Sequence, residues 1–203
     1  MPTAAVITGD IVSSTMLPTS LNKKILAGIS KIFGDHPFEF YRGDSFQAYI
    51  KSPQSALEIV FRLRAAARSI NFIHDIRASI GIGKVRVPLR EMRTASGEAF
   101  VLSGRAFDNL DAKQRVAIDS PDPQANIAFR VIADYADFLC QKLTQKQAEV
   151  LTELLQEETQ TDIAQKLKKA QATINQHAQS ASWPAFEKLI REYQQTIIQF
   201  NLS

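Results

Sequence analysis

Apolar positions recur along this chain in two periods, and the switches between the periods predict its elements. Ala4 to Thr8 is a short apolar run in front of Gly9-Asp10, as in a strand buried on both faces. Leu21, Ile25, Ile29, Ile32 and Phe33 then return at helical spacing, with Ser20 as N-cap and Gly34 just past the end. From Phe38 to Arg42 and from Ser45 to Lys51, apolar and polar residues alternate about Gly43-Asp44, the signature of a hairpin. Ser52-Pro53 caps a long amphipathic helix whose inner face is Ala56, Ile59, Val60, Leu63, Ala67 and Ile70, so Arg62, Arg64 and Arg68 are expected to turn outward. Ile76, Ala78, Ile80 and Ile82 alternate with Arg77, Ser79, Gly81 and Gly83 in a fourth strand. The order βαββαβ predicts an α+β, ferredoxin-like domain, an antiparallel sheet with both helices on one face.

Beyond Lys84 a loop of about a dozen residues carries Arg86, Arg90 and Arg93, and loops of that length are usually functional or mobile. A helical pattern resumes over Gly97 to Asp111, Val116 to Ile118 reads as an extra strand, and Asp119-Ser120-Pro121-Asp122-Pro123 breaks the chain before a helix from Ile127 to Lys142. Leu143-Thr144 opens another helix through Ala148, Val150, Leu151, Leu154 and Leu155. Thr159 to Leu167 forms a further helix, with Thr159 and Asp162 at capping-box spacing. After the turn Lys168-Lys169-Ala170, Gln171 to Gln179 forms a third; Ile163, Ala164, Leu167, Ile174 and Ala178 supply the small core between the last two. Pro184 starts a final helix with Phe186, Leu189, Ile190, Tyr193 and Ile197 on one face, a stripe that serves either as core or as a dimer contact. The division expected is 1–125 for the sheet domain, 126–142 for a connecting all-helical segment and 143–203 for an all-α domain.

Composition changes this picture little. With 203 residues, 45% hydrophobic and 22% charged, the chain is long enough for two small domains. The run Ile127 to Phe138 is broken by Arg130, Asp134 and Asp137, well short of the ~20 apolar residues that span a bilayer, so no membrane association is expected. Met1-Pro2-Thr3 leads straight into a strand without the features of a signal peptide, and Cys140 has no second cysteine to pair with, which predicts a cytoplasmic protein. The net charge of +3 does not by itself argue for nucleic acid: residues 143–203 hold six Lys or Arg against seven Asp or Glu, and 1–142 hold eighteen against fourteen.

Candidate chemistry gathers first at Gly9-Asp10-Ile11-Val12-Ser13-Ser14-Thr15 and Gly43-Asp44, each of which sets a carboxylate where an apolar strand ends. Two converging aspartates are hard oxygen ligands of the kind that hold Mg²⁺ against phosphates. Together with Arg77 to Gly83, these segments resemble the core of class III nucleotidyl cyclases and, within that group, SatD-family bacterial proteins, over roughly residues 4 to 118. The resemblance implies that Asp10, Asp44 and the carbonyl of Ile11 hold metal over a nucleotide triphosphate. It further implies that Gly43 and the backbone of Val12, Ser13, Ser14 and Thr15 receive phosphate, and that Arg105 matches a transition-state arginine. Phe40 stands where the catalytic members carry a base-selecting lysine, and Val101 where they carry a transition-state asparagine. Losing such a donor typically costs ~10²- to 10³-fold in rate, so a binding or vestigial site is expected rather than an efficient cyclase.

Asp162-Ile163-Ala164, Leu167, Thr173-Ile174 and His177 are similar to the helix-turn-helix of LuxR-type regulators and sigma-factor region 4. That resemblance implies double-stranded DNA as partner, with Gln171, Ala172, Thr173, Asn175, Gln176 and Gln179 towards the major groove and Lys166, Lys168 and Lys169 on phosphate. Where the Phe186 to Ile197 stripe serves as a dimer contact, a two-fold homodimer would present two recognition helices to half-sites about one DNA turn apart. Lys168 and Lys169 replace the usual glycine and apolar residue of the turn. The sequence-level expectation is therefore a DNA-binding regulator with a nucleotide- or phosphate-binding sensor domain. The alternatives are a divergent Mg²⁺-dependent nucleotidyl cyclase and a protein-interaction module whose sites are vestigial. His36 and His74 have no neighbours at ligand spacing, and Cys140 reads as a small buried residue.

Overall fold

The computed structural model describes residues 1–41, 43–71, 73–89 and 91–203; Arg42 of the hairpin and Arg90 of the arginine-bearing loop lie outside the described residues. Five strands, β1 (Thr3–Ile11), β2 (Phe38–Tyr41), β3 (Ser45–Ile50), β4 (Ile76–Lys84) and β5 (Val116–Asp119), form one mixed sheet. The strand order is β2-β3-β1-β4-β5, antiparallel throughout except that β5 runs parallel to β4. Helices α1 (Thr19–Phe33), α2 (Ala56–Ile70) and α3 (Glu98–Asp108) are interleaved with the strands. They are followed by α4 (Pro123–Gln141), α5 (Gln145–Leu154), α6 (Gln160–Leu167), α7 (Gln171–Ser180) and α8 (Trp183–Gln199).

Period-two alternation assigns each strand residue to a face. Ala5, Ile7 and Ile11 join Phe46, Ala48 and Ile50 and the isoleucines of β4 in one apolar cluster with α1 and α2. Ala4, Val6 and Tyr49 pack on the opposite side with Ala99 of α3. That side admits α3 because β4 carries Gly81 and Gly83: a Cβ on Gly81 would lie 2.3 Å from both the Ala99 carbonyl oxygen and the Ser103 nitrogen.

The expected elements are all present, with shifted ends. Helix α1 starts at Thr19 behind Pro18, so Ser20 lies within it, and Pro53 opens a short 3-10 turn that leads into α2. The helix expected from Ile127 starts four residues earlier, because Asp122 caps it through the Gln124 and Ala125 amides and Pro123 takes the first turn, where a missing N–H costs nothing. Thr159 caps α6 from the Asp162 amide, but its hydroxyl donates to the Asp162 carboxylate, so the reciprocal half of a capping box is not made; Thr144 and Gln147 form a full one on α5.

The outward orientation expected for the α2 arginines is overturned at two of three positions. Arg64 is fully buried and Arg68 nearly so, because α2 is covered on one side by the sheet and on the other by the C-terminal helices. Arg64 forks onto Asp75 at 2.9 and 2.8 Å and reaches Asp137 at 2.6 Å. Arg68 donates to Asp75 and to the carbonyls of Gln141 and Leu143. The second oxygen of Asp137 accepts from the Arg115 and Val116 amides. Two positive and two negative charges thus pair with one another in the interior, with the Arg68 Nε left without a partner among the described residues.

The apolar stripe of α8 is core. Phe186, Tyr193 and Ile197 are fully buried, the Phe186 ring meets Phe61 of α2 with centroids 4.9 Å apart, and the Tyr193 hydroxyl donates to the Pro53 carbonyl at 2.9 Å. Of the two roles open to this stripe, core or dimer contact, it takes the first, so the face is occupied by the chain itself. Among the described residues no helix is long and apolar enough to cross a membrane.

Candidate functional site

The end of β1 and the β2–β3 hairpin do come together. Ser13 takes a left-handed conformation (φ 58°) that turns the chain into a 3-10 turn over Ser14–Met16, and the Ser14 hydroxyl donates to the Asp44 carboxylate. Gly43, at φ +89°, provides the positive φ that the hairpin turn requires. The two predicted segments thus meet through Ser14 and Asp44.

Asp10 is engaged otherwise. Its register partner across β1 and β4 is Arg77, whose Nη2 and Nε donate to the two carboxylate oxygens at 2.7 and 3.3 Å. The Arg77 guanidinium also lies over the Phe107 ring of α3, 4.6 Å from its centre. Resident Mg²⁺ requires several free oxygen ligands. Here both oxygens of Asp10 face a guanidinium, Asp44 accepts from Ser14, and no group of three or more His, Cys, Asp or Glu side chains converges among the described residues. In this arrangement Asp10 would have to leave Arg77, and Asp44 to leave Ser14, before either could ligate a cation.

Asp10, Ile11, Val12, Ser13, Arg77, Ala112 and Arg115 line a small cleft of about 220 Å³ with two arginines on its wall. Val12 cannot offer its amide, which donates to the Asp75 carbonyl at 2.9 Å, whereas those of Ser13, Ser14 and Thr15 have no partner among the described residues. Arg105 is not brought here: it is exposed and, like half-exposed Val101, sits on the side of α3 turned away from the sheet. Phe40 does not face this side of the sheet either, since it packs edge-on against Phe38 and Phe46 over the α1 and α2 core.

A larger cleft, about 620 Å³, opens on the α3 side of the sheet and escaped the sequence reading. Glu39 and Tyr41 of β2, Ser45 and Gln47 of β3 and Thr8 of β1 supply polar groups, and Phe100 and Phe107 an aromatic wall. Gln47 donates to Thr8, which donates to Ser103. Arg93 closes onto Glu39 at 2.8 Å. Burial, with Glu39 adding in the same direction, pushes the Tyr41 hydroxyl up to about 12, so it stays a neutral donor. Strand alternation carries the signal for this cleft, because these side chains all fall on the face opposite Phe38, Phe40, Phe46 and Ala48.

The second candidate is α7. Ile174 and Ala178 are buried against Ile163, Ala164, Val150 and Leu154, which leaves Gln171, Ala172, Asn175, Gln176 and Gln179 exposed and Thr173 half-buried. Lys168 takes the left-handed conformation (φ 52°, ψ 46°) that glycine adopts in such turns, and it and Lys169 return their amides to the last carbonyls of α6. Lys166 pairs with Glu153 and Lys169 with Glu149, each at 2.5 Å, while Lys168 has no ion pair among the described residues.

No family model matches this sequence, and no curated protein matches it. Among solved structures, the chain is similar to a bacterial light-regulated adenylyl cyclase, with 12% identity and a TM-score of 0.42 over 58% of this chain and 75% of that one.

Proposed function

We propose that this chain is a DNA-binding regulator, in which α6 and α7 act as a helix-turn-helix and the sheet, with its ferredoxin-like βαββαβ order, holds a nucleotide or another phosphate-bearing ligand. The observation that carries this reading is the exposed face of α7. Four amide side chains lie on it without an acidic residue, on a helix held by two buried apolar residues behind a tight turn. Amide side chains pair bidentately with adenine, and Ala172 offers a methyl to thymine. Because Lys166 and Lys169 must exchange carboxylate for phosphate, non-specific attraction is weak and base contacts carry most of the selectivity.

The test is selection of duplexes from a randomised pool, followed by fluorescence anisotropy across salt. Expected are an enriched sequence and a slope of log K against log salt corresponding to about one to three phosphates per subunit. In an Asn175→Ala, Gln176→Ala variant the preference should relax by ~1–3 kcal/mol per lost base contact. Absence of enrichment, or equal binding by the variant, refutes the DNA reading.

The junction of Ser14 with Asp44 favours a second reading, a divergent nucleotidyl cyclase, while the Arg77 fork on Asp10 opposes it. Turnover of nucleoside triphosphate with Mg²⁺ that stops in Asp44→Ala would establish it. If neither DNA nor nucleotide binds, the interaction-module reading stands.

A further inference from the structure

Helix α4 buries one side of itself in the core and leaves the other bare. Ala125, Phe129, Ala133 and Ala136 are buried, whereas Ile127, Val131, Tyr135 and Phe138 are 52%, 67%, 42% and 49% exposed. Their spacing of four, four and three residues sets them on one face, along about 17 Å of helix. Tyr135 and Phe138 stack on each other with rings 5.8 Å apart and 18° from parallel. Isolated exposed apolar residues are ordinary, but a continuous stripe of two aliphatic and two aromatic side chains at the centre of a helix's solvent side is not.

Charge indicates what covers it. Arg130 and Asp134, both exposed, flank the stripe on the same edge, one turn apart. When two copies of a helix pack antiparallel about a two-fold axis, each edge meets its own counterpart in reverse order. Centred near Ile132, such a pairing sets Arg130 against the partner subunit's Asp134, and Asp134 against the partner subunit's Arg130. The same register brings Ile127 onto the partner's Phe138 and leaves Val131 and Tyr135 in the middle. In a parallel two-fold arrangement this edge would meet the opposite edge of the partner helix, and neither Arg130 nor Asp134 would find its complement.

We propose that this protein forms a two-fold homodimer through the exposed face of α4, in antiparallel register, with a reciprocal pair of Arg130–Asp134 contacts at its edge. The α8 stripe is unavailable for this role because it is already core. The proposal does not depend on DNA or nucleotide binding.

Sedimentation velocity of the full chain over a concentration series tests it. Wild type is expected in monomer–dimer equilibrium, and Val131→Glu monomeric with an unchanged circular dichroism spectrum. Arg130→Glu alone and Asp134→Arg alone should each weaken self-association, since like charges then oppose across the interface. Mixing those two variants should restore a heterodimer, as should combining both substitutions in one chain. A pair confined to a single helix would leave self-association unmoved by the single changes and by mixing. The proposal is overturned by a wild type monomeric at every concentration, which would assign the stripe to a different macromolecule. It is equally overturned by a dimer that tolerates Val131→Glu, or by failure of the mixed variants to associate.

Discussion

Arg64 carries its charge where no water reaches it, so its stability rests wholly on Asp75 and Asp137. Replacing Asp137 by Ala leaves a buried guanidinium short of a partner and the Arg115 and Val116 amides without an acceptor; the expected loss is ~3–5 kcal/mol, read by urea unfolding. Cys140 lies in the same interior, and burial pushes its thiol up to about 12 from 9.0. In folded protein it should ignore a thiol reagent at neutral pH and react only on unfolding. The linked pH effect has a definite sign. Between pH 9.0 and about 12 the unfolded thiol ionises while the folded one stays protonated, so stability is complete below this window and falls as pH rises through it. Thermal melts of wild type and Cys140→Ala across that range should diverge accordingly. Neither arginine could be placed from the sequence, because an amphipathic pattern is read as one covered side, and α2 has two. Nor could the fate of Asp10: strand alternation is visible in the chain, but the register that sets Asp10 opposite Arg77 comes from pairing residues 67 positions apart.

At the scale of elements, the close seat of α3 on β4 depends on the absence of side chains. Gly81→Ala would drive a methyl into the α3 backbone, which cannot retreat without unpacking Ala99 and Ser103. A loss of ~1–3 kcal/mol is expected, with the 620 Å³ cleft distorted because Phe100 and Phe107 ride on the same helix. Gly28→Ala is the control: nothing lies within 4 Å of that added Cβ in α1, so it should stabilise by ~0.5–1 kcal/mol through helix propensity. Denaturant midpoints of both variants decide the matter, and a tolerant Gly81 would sink the packing argument. Periodicity made most helices and strands legible, since residues such as Ile76, Ala78, Ile80 and Ile82 declare one buried side of a strand, while β1 was marked by a continuous apolar run and α6 by its cap. Ends were less legible where capping chemistry overlaps with turn chemistry, as at Asp122-Pro123. At the α6–α7 turn Lys168 takes a left-handed conformation without being a glycine, and backbone bonds from Lys168 and Lys169 to α6 offset the strain.

In the whole molecule, the tail and the sheet share an interior. The largest apolar cluster runs from Ala5 of β1 through Phe61 of α2 and Phe129 of α4 to Phe186, Tyr193 and Ile197 of α8. Such continuity is invisible to a linear reading, which locates a boundary where composition shifts and cannot see that α8 returns to α2. The expected consequence, to be checked, is energetic coupling across residues 126–142. Phe186→Ala removes a ring whose edge meets Phe61 and opens a cavity beneath α2, at an expected ~3–5 kcal/mol. If the interior is one cooperative unit, that loss lowers the stability of the sheet as much as that of the tail, and amide exchange in β1 and β4 speeds up by the same free energy as exchange in α8. Were the tail an independent unit, protection in β1 and β4 would stay at its wild-type level while α8 alone opened. Hydrogen exchange resolved by peptide, on wild type and Phe186→Ala, separates the two cases. It also determines whether a ligand in the clefts beside β1 can bias the helices that carry α7, since coupling of that kind needs a shared structure for differential binding to act on.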